Sequence, residues 1–174
     1  IVSYDYKKVR SHKGMGLVSQ VFSEDDIQKL TGHIAVGHNR YSTAGGSRVD
    51  HAQPTIVNDW SIALAHNGNI PSTVALEKFL HDKKIETDGL SDSRMIAQAI
   101  GVLVQEGASI EDAIKQTYPL MTGAFSILIM SKDKLIAIRD ACGIRPLSIA
   151  KLNGGFIFSS ETCAFQTVGA DFIR

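Results

Sequence analysis

Ala124-Phe125-Ser126-Ile127-Leu128-Ile129-Met130, then Ser131-Lys132-Asp133, then Lys134-Leu135-Ile136-Ala137-Ile138-Arg139: two apolar, β-branched runs flank a short polar turn. That pattern predicts a β-hairpin. A second one follows, Leu147–Leu152 with Phe156–Ser159 around Asn153-Gly154, a pair of residues that tolerates the positive φ of a tight turn. Upstream of both hairpins the period changes. Ile96, Ala99, Ile100 and Leu103 share one helical stripe that starts at Ser91 or Asp92 and stops at Gly107. Ser109 caps a further helix carrying Ile110, Ala113, Ile114 and Tyr118, and Pro71 to His81 places Leu76, Phe79 and Leu80 at helical spacing.

The N-terminal third reads as shorter pieces. Ile1 to Tyr6, Gly16 to Phe22 and His33 to Tyr41 are strand candidates, the last with Ile34 and Val36 on one face. Ser23 with Asp26 three residues on makes a capping-box-like pair before Ile27 and Leu30. Pro54 to Val57 and Ser61 to His66 form a strand pair about Asn58-Asp59, and a last short helix is expected near Ser160 to Thr167. Strands come in groups with helices inserted as blocks. This order predicts an α+β fold of antiparallel sheets, two packed face to face with helices outside, and not a doubly wound parallel sheet.

Composition sets limits on function. The 174 residues are 44% hydrophobic and 21% charged, a globular balance in one domain. Lys plus Arg equals Asp plus Glu at 18 each, so no net field draws the chain to nucleic acid or an anionic membrane. Cys142 and Cys163 form neither a disulfide framework nor a metal site with recognisable spacing, and they read as small buried hydrophobes. Sparse cysteine and no secretory segment point to the cytoplasm. The chain opens as Ile1-Val2-Ser3-Tyr4-Asp5, mid-strand in character, so an upstream segment is expected.

Three segments carry candidate chemistry, and each has a plainer reading. In Gly37-His38-Asn39-Arg40-Tyr41-Ser42-Thr43-Ala44-Gly45-Gly46 a strand runs into a glycine-rich turn. Arg40 there offers a planar fork suited to a carboxylate, with the Thr43 hydroxyl beside it; alternatively Arg40 pairs with a structural acid at a sheet edge. Ala65-His66-Asn67-Gly68-Asn69 is first a turn signal. Its Asn67 amide and Gly68 N–H could instead converge as an oxyanion hole. Ser91 and Asp92 suit a helix N-terminus, and Asp92 could instead accept an ammonium opposite a carboxylate held by Arg40. His38 and His66 read as hydrogen-bonded strand histidines. No Ser/His/Asp order and no zinc-site spacing is present.

In this order, Gly37 to Thr43, Ala65 to Asn69 and Leu90-Ser91-Asp92-Ser93 resemble the glutamine site of class II glutamine amidotransferases. The later segments Arg139-Asp140-Ala141-Cys142-Gly143-Ile144-Arg145-Pro146-Leu147 and Ser159-Ser160-Glu161-Thr162-Cys163-Ala164-Phe165 are similar to the amidophosphoribosyltransferase branch, more than to glucosamine-6-phosphate synthase or asparagine synthetase. The likeness extends from about Gly14 to Arg174.

The resemblance implies a four-layer αββα N-terminal-nucleophile hydrolase sandwich over residues 1–174, lacking its first strand. It implies that Arg40 and Asp92 clamp the α-carboxylate and α-ammonium of glutamine, that Tyr41 and Thr43 line the pocket, and that Asn67 and Gly68 form the oxyanion hole. The implied nucleophile is an N-terminal cysteine whose α-amine serves as base. Ile1 stands first in this sequence, so the chain as given is expected to be inactive. No cofactor or metal is implied for this segment. Mg is expected only in a phosphoribosyltransferase domain lying beyond it, and an iron–sulfur cluster is left open. The implied partners are glutamine and that second domain, within a cytoplasmic homo-oligomer. The competing readings are a catalytically dead glutamine-binding or docking lobe, and the glutaminase lobe of another class II enzyme such as glucosamine-6-phosphate synthase.

Overall fold

The computed structural model describes residues 1–40, 49, 52–57 and 62–174. Its centre is the antiparallel sheet β4-β5-β6-β7, made of β4 (Thr55–Val57), β5 (Ile62–Asn69), β6 (Ala124–Met130) and β7 (Leu135–Arg139). The β6–β7 hairpin pairs Met130 with Leu135 and Ser126 with Arg139, and β5 runs beside β6 with Asn67 opposite Ser126. Both central strands are buried on both faces, which explains why they read as near-continuous apolar runs and not as clean alternation.

One face of this sheet carries a helical layer. α3 (Val74–Asp82), α4 (Asp92–Gln105) and α5 (Ile110–Thr117) bring Leu76, Leu80, Ile96, Ile100, Leu103 and Ala113 against Ile62, Leu64, Phe125, Ile127 and Ile129. Ile96 and Ile100 are fully buried, each contributing about 1.5–3 kcal/mol by area. The α4 ends are those the sequence announces. Ser91 Oγ accepts the Arg94 N–H at 3.3 Å. At the other end Gly107, at φ +99°, lets Ala108 N–H reach Leu103 O at 3.0 Å and its own N–H reach Val104 O at 3.1 Å, a Schellman stop.

The other face meets a second antiparallel sheet, β2-β1-β3, built from β1 (Val2–Tyr4), β2 (Val9–Ser11) and β3 (Ile34–Val36). Val2, Tyr4 and Val36 pack there against Ala63, Ala65 and Met130. Where two sheets were expected, the strands fall into three hydrogen-bonded groups. β8 (Ser148–Leu152), β9 (Gly155–Ser159) and the two-residue β10 (Asp171–Phe172) form a third sheet, ordered β10-β8-β9. A cavity of about 460 Å³ lies where this sheet approaches β3 and β7, lined by Ile34, Ala35, Leu135, Ile149, Phe156 and Phe158. The β8–β9 turn has Asn153 at φ 49° and Gly154 at φ 82°, both central residues left-handed as a two-residue hairpin requires.

The antiparallel α+β sandwich expected from the order of elements is therefore observed, with local differences. Gly16 to Phe22 is not a strand: Val18–Val21 is a helical turn, α1, closed by Val21 N–H to Leu17 O at 3.0 Å. Leu17 and Val18 are exposed, so no sheet surface exists to reward their β propensity. Of the strand expected over His33 to Tyr41, β3 covers Ile34–Val36, with Val36 paired to Val2 and Ile34 to Tyr4. The Ser23 capping box before α2 (Glu24–Lys29) forms as expected, with Ser23 Oγ and the Asp26 carboxylate each bonding the other's main-chain N–H. The final helix, α6, is Cys163–Val168. Cys142 and Cys163 are both exposed, contrary to their reading as buried hydrophobes: Cys142 sits in a turn after β7 and Cys163 opens the surface helix α6.

Candidate functional site

β5 delivers the site. Its even-numbered residues Ile62 and Leu64 face the helices and its odd-numbered Ala63 and Ala65 face the neighbouring sheet. Continuing that alternation, His66 and Gly68 point toward α4 while Asn67 points between the sheets. Asn67-Gly68 is consequently not a hairpin turn: both lie within the strand, and Gly68 is not among the positive-φ glycines. Glycine is required here by space. A Cβ added to it would stand 2.5 Å from Ala124 O, 2.6 Å from His66 Nε2 and 2.7 Å from Phe125 Cα.

On the helical side, His66 is buried and hydrogen-bonded. Its Nδ1 lies 3.0 Å from Ser93 Oγ and 3.7 Å from Asp92 Oδ2. Gln53 completes the cluster, accepting the His66 N–H on Oε1 at 2.6 Å and donating from Nε2 to Ser93 Oγ at 3.2 Å. Asp92 is not the helix cap, since Ser91 performs that task. Its Oδ1 accepts the Ser93 N–H at 2.7 Å and its Oδ2 accepts the Ile70 N–H at 3.3 Å, which fixes the carboxylate against the end of β5. The Asp92 side chain keeps 25% exposure, so an outward-facing edge is left for a ligand.

Burial lowers the His66 pKa below its ordinary 6.5; the Asp92 carboxylate raises it in part and the Arg145 charge lowers it further. His38 lies beyond the end of β3 and is not a strand residue. Burial depresses its pKa too, opposed by a hydrogen bond to the His66 main chain and reinforced by the Arg40 charge. The Arg40 charge thus bears on His38, which lies two residues before it in the chain. Tyr41 and Thr43 lie outside the described residues.

On the inter-sheet side, Asn67 Nδ2 donates to Ser160 Oγ at 3.0 Å. The cross-strand partner of Asn67, Ser126, donates its hydroxyl to Arg145 O at 3.1 Å. That carbonyl belongs to a loop folded around Asp140, whose carboxylate accepts main-chain N–H groups from Phe125, Cys142, Ile144 and Arg145 at 3.0–3.5 Å. Burial raises the Asp140 pKa, yet the bonds from Ile144, Phe125, Arg145 and Cys142 outweigh it and hold the group below the ordinary 3.8. The two later motifs of the sequence therefore meet the Asn-Gly motif in space.

Sequence reasoning missed Gln53, Ser93, Asp140 and Ser160 as the supports of this site. Asp140 had a local signal, an Asp followed at three residues by Gly143 at φ +61°. Ser160 lies in the Ser159–Phe165 motif, but nothing local marks its bond to Asn67, because that partner lies 93 residues away. Among the described residues, no group of three His, Cys, Asp or Glu is placed to hold a metal ion, and no helix is long and apolar enough to cross a membrane.

The geometry has a counterpart among known proteins. The glutamine amidotransferase domain family matches residues 38–167, a span containing Arg40, Asn67, Gly68, Asp92 and Ser160. The chain belongs to that family. This amidotransferase domain is 42% identical, over its whole length, to an amidophosphoribosyltransferase of Synechococcus elongatus, and 37% identical to that of Bacillus subtilis. It spans 36% and 37% of those relatives' lengths. The solved glutamine phosphoribosylpyrophosphate amidotransferase of B. subtilis, in complex with ADP and GMP, superposes with a TM-score of 0.85 at 34% identity, over 99% of this domain and 37% of that chain. A structure described as the allosteric regulatory enzyme of purine biosynthesis gives 0.88 at 36% identity over the same shares.

Proposed function

We propose that this domain hydrolyses the side-chain amide of glutamine and supplies the ammonia to an amidophosphoribosyltransferase, which makes phosphoribosylamine from phosphoribosylpyrophosphate at the first step of purine synthesis. The observation that carries the reading is the meeting of Asp92 with the His66–Ile70 segment that bears Asn67 and Gly68. The relatives' names support phosphoribosylpyrophosphate as the acceptor in preference to a sugar phosphate.

In this reading Asp92 receives the α-ammonium and Arg40 the α-carboxylate, with Tyr41 and Thr43 completing the pocket wall. A thiolate attacks the amide carbon, and the carbonyl oxygen becomes an oxyanion that Asn67 Nδ2–H and Gly68 N–H stabilise. Collapse of the tetrahedral centre, with a proton delivered to nitrogen, expels ammonia and leaves a thioester that water hydrolyses to glutamate. The thiolate comes from an N-terminal cysteine with a free α-amine. Cys142 and Cys163 are internal residues and have none. The acceptor domain binds its phosphorylated sugar elsewhere in a cytoplasmic homo-oligomer.

The test is Asn67→Ala in the complete enzyme. Glutamine-dependent turnover is expected to fall by roughly 10²-fold, while synthesis from added ammonia persists. An unchanged glutamine-dependent rate would remove Asn67 from the chemistry. Absence of covalent labelling by a glutamine-analogue electrophile in that enzyme would instead favour a non-catalytic glutamine-binding lobe.

A further inference from the structure

The Asn67 carboxamide is held by Ser160, the residue that follows the last position of β9 in the third sheet. A terminal amide torsion is broad and roughly two-fold, so an unrestrained Asn side chain does not aim its N–H groups. Here Asn67 Nδ2 donates one hydrogen to Ser160 Oγ at 3.0 Å, and both residues are half-buried. Ser160 directly follows β9, whose hairpin is fixed by its two-residue turn. Ser126, on the same face as Asn67, turns its own hydroxyl hydrogen to Arg145 O, and the hydrogen bond of the Asn67 amide goes to Ser160.

We infer that Ser160 is a positioning residue for glutamine hydrolysis: its hydroxyl holds one N–H of the Asn67 amide and thereby directs the other toward the developing oxyanion. This rests on the glutaminase reading above. An Asn amide has two donors, so satisfying one leaves one for the transition state. A donor aimed in advance costs no reorganisation when charge develops. The predicted signature is a loss in kcat with little change in KM, because the contact helped is made in the transition state and not in the ground state.

The experiment measures glutamine-dependent and ammonia-dependent rates of the complete enzyme for wild type, Ser160→Ala, Ser160→Thr, Asn67→Ala and the double variant Asn67→Ala/Ser160→Ala. Thermal unfolding of each runs in parallel. Ser160→Ala is expected to lower glutamine-dependent kcat roughly five- to ten-fold, the worth of one hydrogen bond. Ser160→Thr is expected to restore most of it, and ammonia-dependent synthesis is expected to stay unchanged. The double variant is expected to be no slower than Asn67→Ala, since Ser160 acts only through that amide.

A wild-type kcat for Ser160→Ala, or losses that multiply in the double variant, overturns the inference while leaving the glutaminase reading intact. Equal loss of both activities with a lowered unfolding temperature also overturns it, by reducing Ser160 to a packing residue. If Asn67→Ala itself leaves glutamine turnover unchanged, the oxyanion reading falls first, and the role of Ser160 with it.

Discussion

His66 Nδ1 stands 3.7 Å from Asp92 Oδ2, with Ser93 Oγ within 3.2 Å of both residues. The contact joins the last fully buried side chain of β5 to the first turn of α4. A proton on Nδ1 gives this acidic helix end a donor. It leaves Nε2, which has no hydrogen-bond partner among the described residues, as a bare lone pair beside Gly68. The imidazole thus serves as a neutral brace for the carboxylate assigned to the substrate ammonium.

A neutral brace has a pH signature. Burial lowers the pKa of His66, and that of His38, below the ordinary 6.5. As pH falls through 6.5 the unfolded chain binds protons that the folded chain still refuses, so stability is present above 6.5 and declines on acidification. Each histidine contributes a slope of at most about 1.4 kcal/mol per pH unit. His66→Gln is expected to reduce that slope by one proton's share in denaturant titrations run from neutral pH downward. Parallel curves for variant and wild type would show that His66 does not titrate in this way.

Gly68→Ala tests the close approach at the strand end. The new methyl would meet Ala124 O, His66 Nε2 and Phe125 Cα at 2.5–2.7 Å, two of them main-chain atoms that cannot swing aside. The expected cost is about 1–3 kcal/mol of stability, with glutamine-dependent activity lost by displacement of the Gly68 N–H. Urea unfolding checks the first figure; a midpoint equal to wild type would mean that β5 and β6 separate at no cost.

Much of this arrangement can be read from the letters, and the remainder is missing for physical reasons. Local periodicity locates α4, α5 and both hairpins, because Ile96, Ile100 and Leu103 repeat at helical spacing and Asn153-Gly154 separates two apolar runs of strand length. Periodicity fails at Leu17-Val18, whose residue types favour a strand that no neighbouring sheet surface supports. It fails again at Asn67-Gly68, where the turn chemistry is present but the chain continues straight through the sheet. Arg40, Asn67 and Asp92 stand out by residue type. Gln53, Ser93 and Ser160 do not, since an uncharged polar residue takes its role from a partner that folding brings up from 13 to 93 positions away.

Asp140→Ala should loosen the loop that backs the site without touching the substrate pocket. Its carboxylate is the shared acceptor for the N–H groups of Cys142, Ile144 and Arg145 and also binds that of buried Phe125. Hydrogen exchange is expected to accelerate at Cys142, Ile144 and Arg145, with a smaller change at Phe125 inside β6. In wild type the same loop should loosen in acid. The Asp140 pKa lies below 3.8, so the stability it contributes is present above that value and is lost as pH falls through the folded-state pKa. Unchanged exchange in the variant would show that the turn holds itself.

Arg40→Ala separates capture of glutamine from the chemistry that follows. The Arg40 charge bears on His38, which is itself bonded to the His66 main chain, and the glutaminase reading gives the guanidinium the substrate carboxylate. If it grips the substrate carboxylate, its removal costs binding that is present in ground state and transition state alike. The KM for glutamine should then rise by roughly ten-fold or more, as expected for a charge-assisted pair worth about 1.5–3 kcal/mol, with a much smaller change in kcat. Ammonia-dependent synthesis bypasses glutamine and should keep its wild-type rate. Steady-state kinetics with both nitrogen donors reads these quantities in one preparation. Parallel loss with glutamine and with ammonia would mean that Arg40 supports the fold or the acceptor domain, and the carboxylate would then have to be held by another cation.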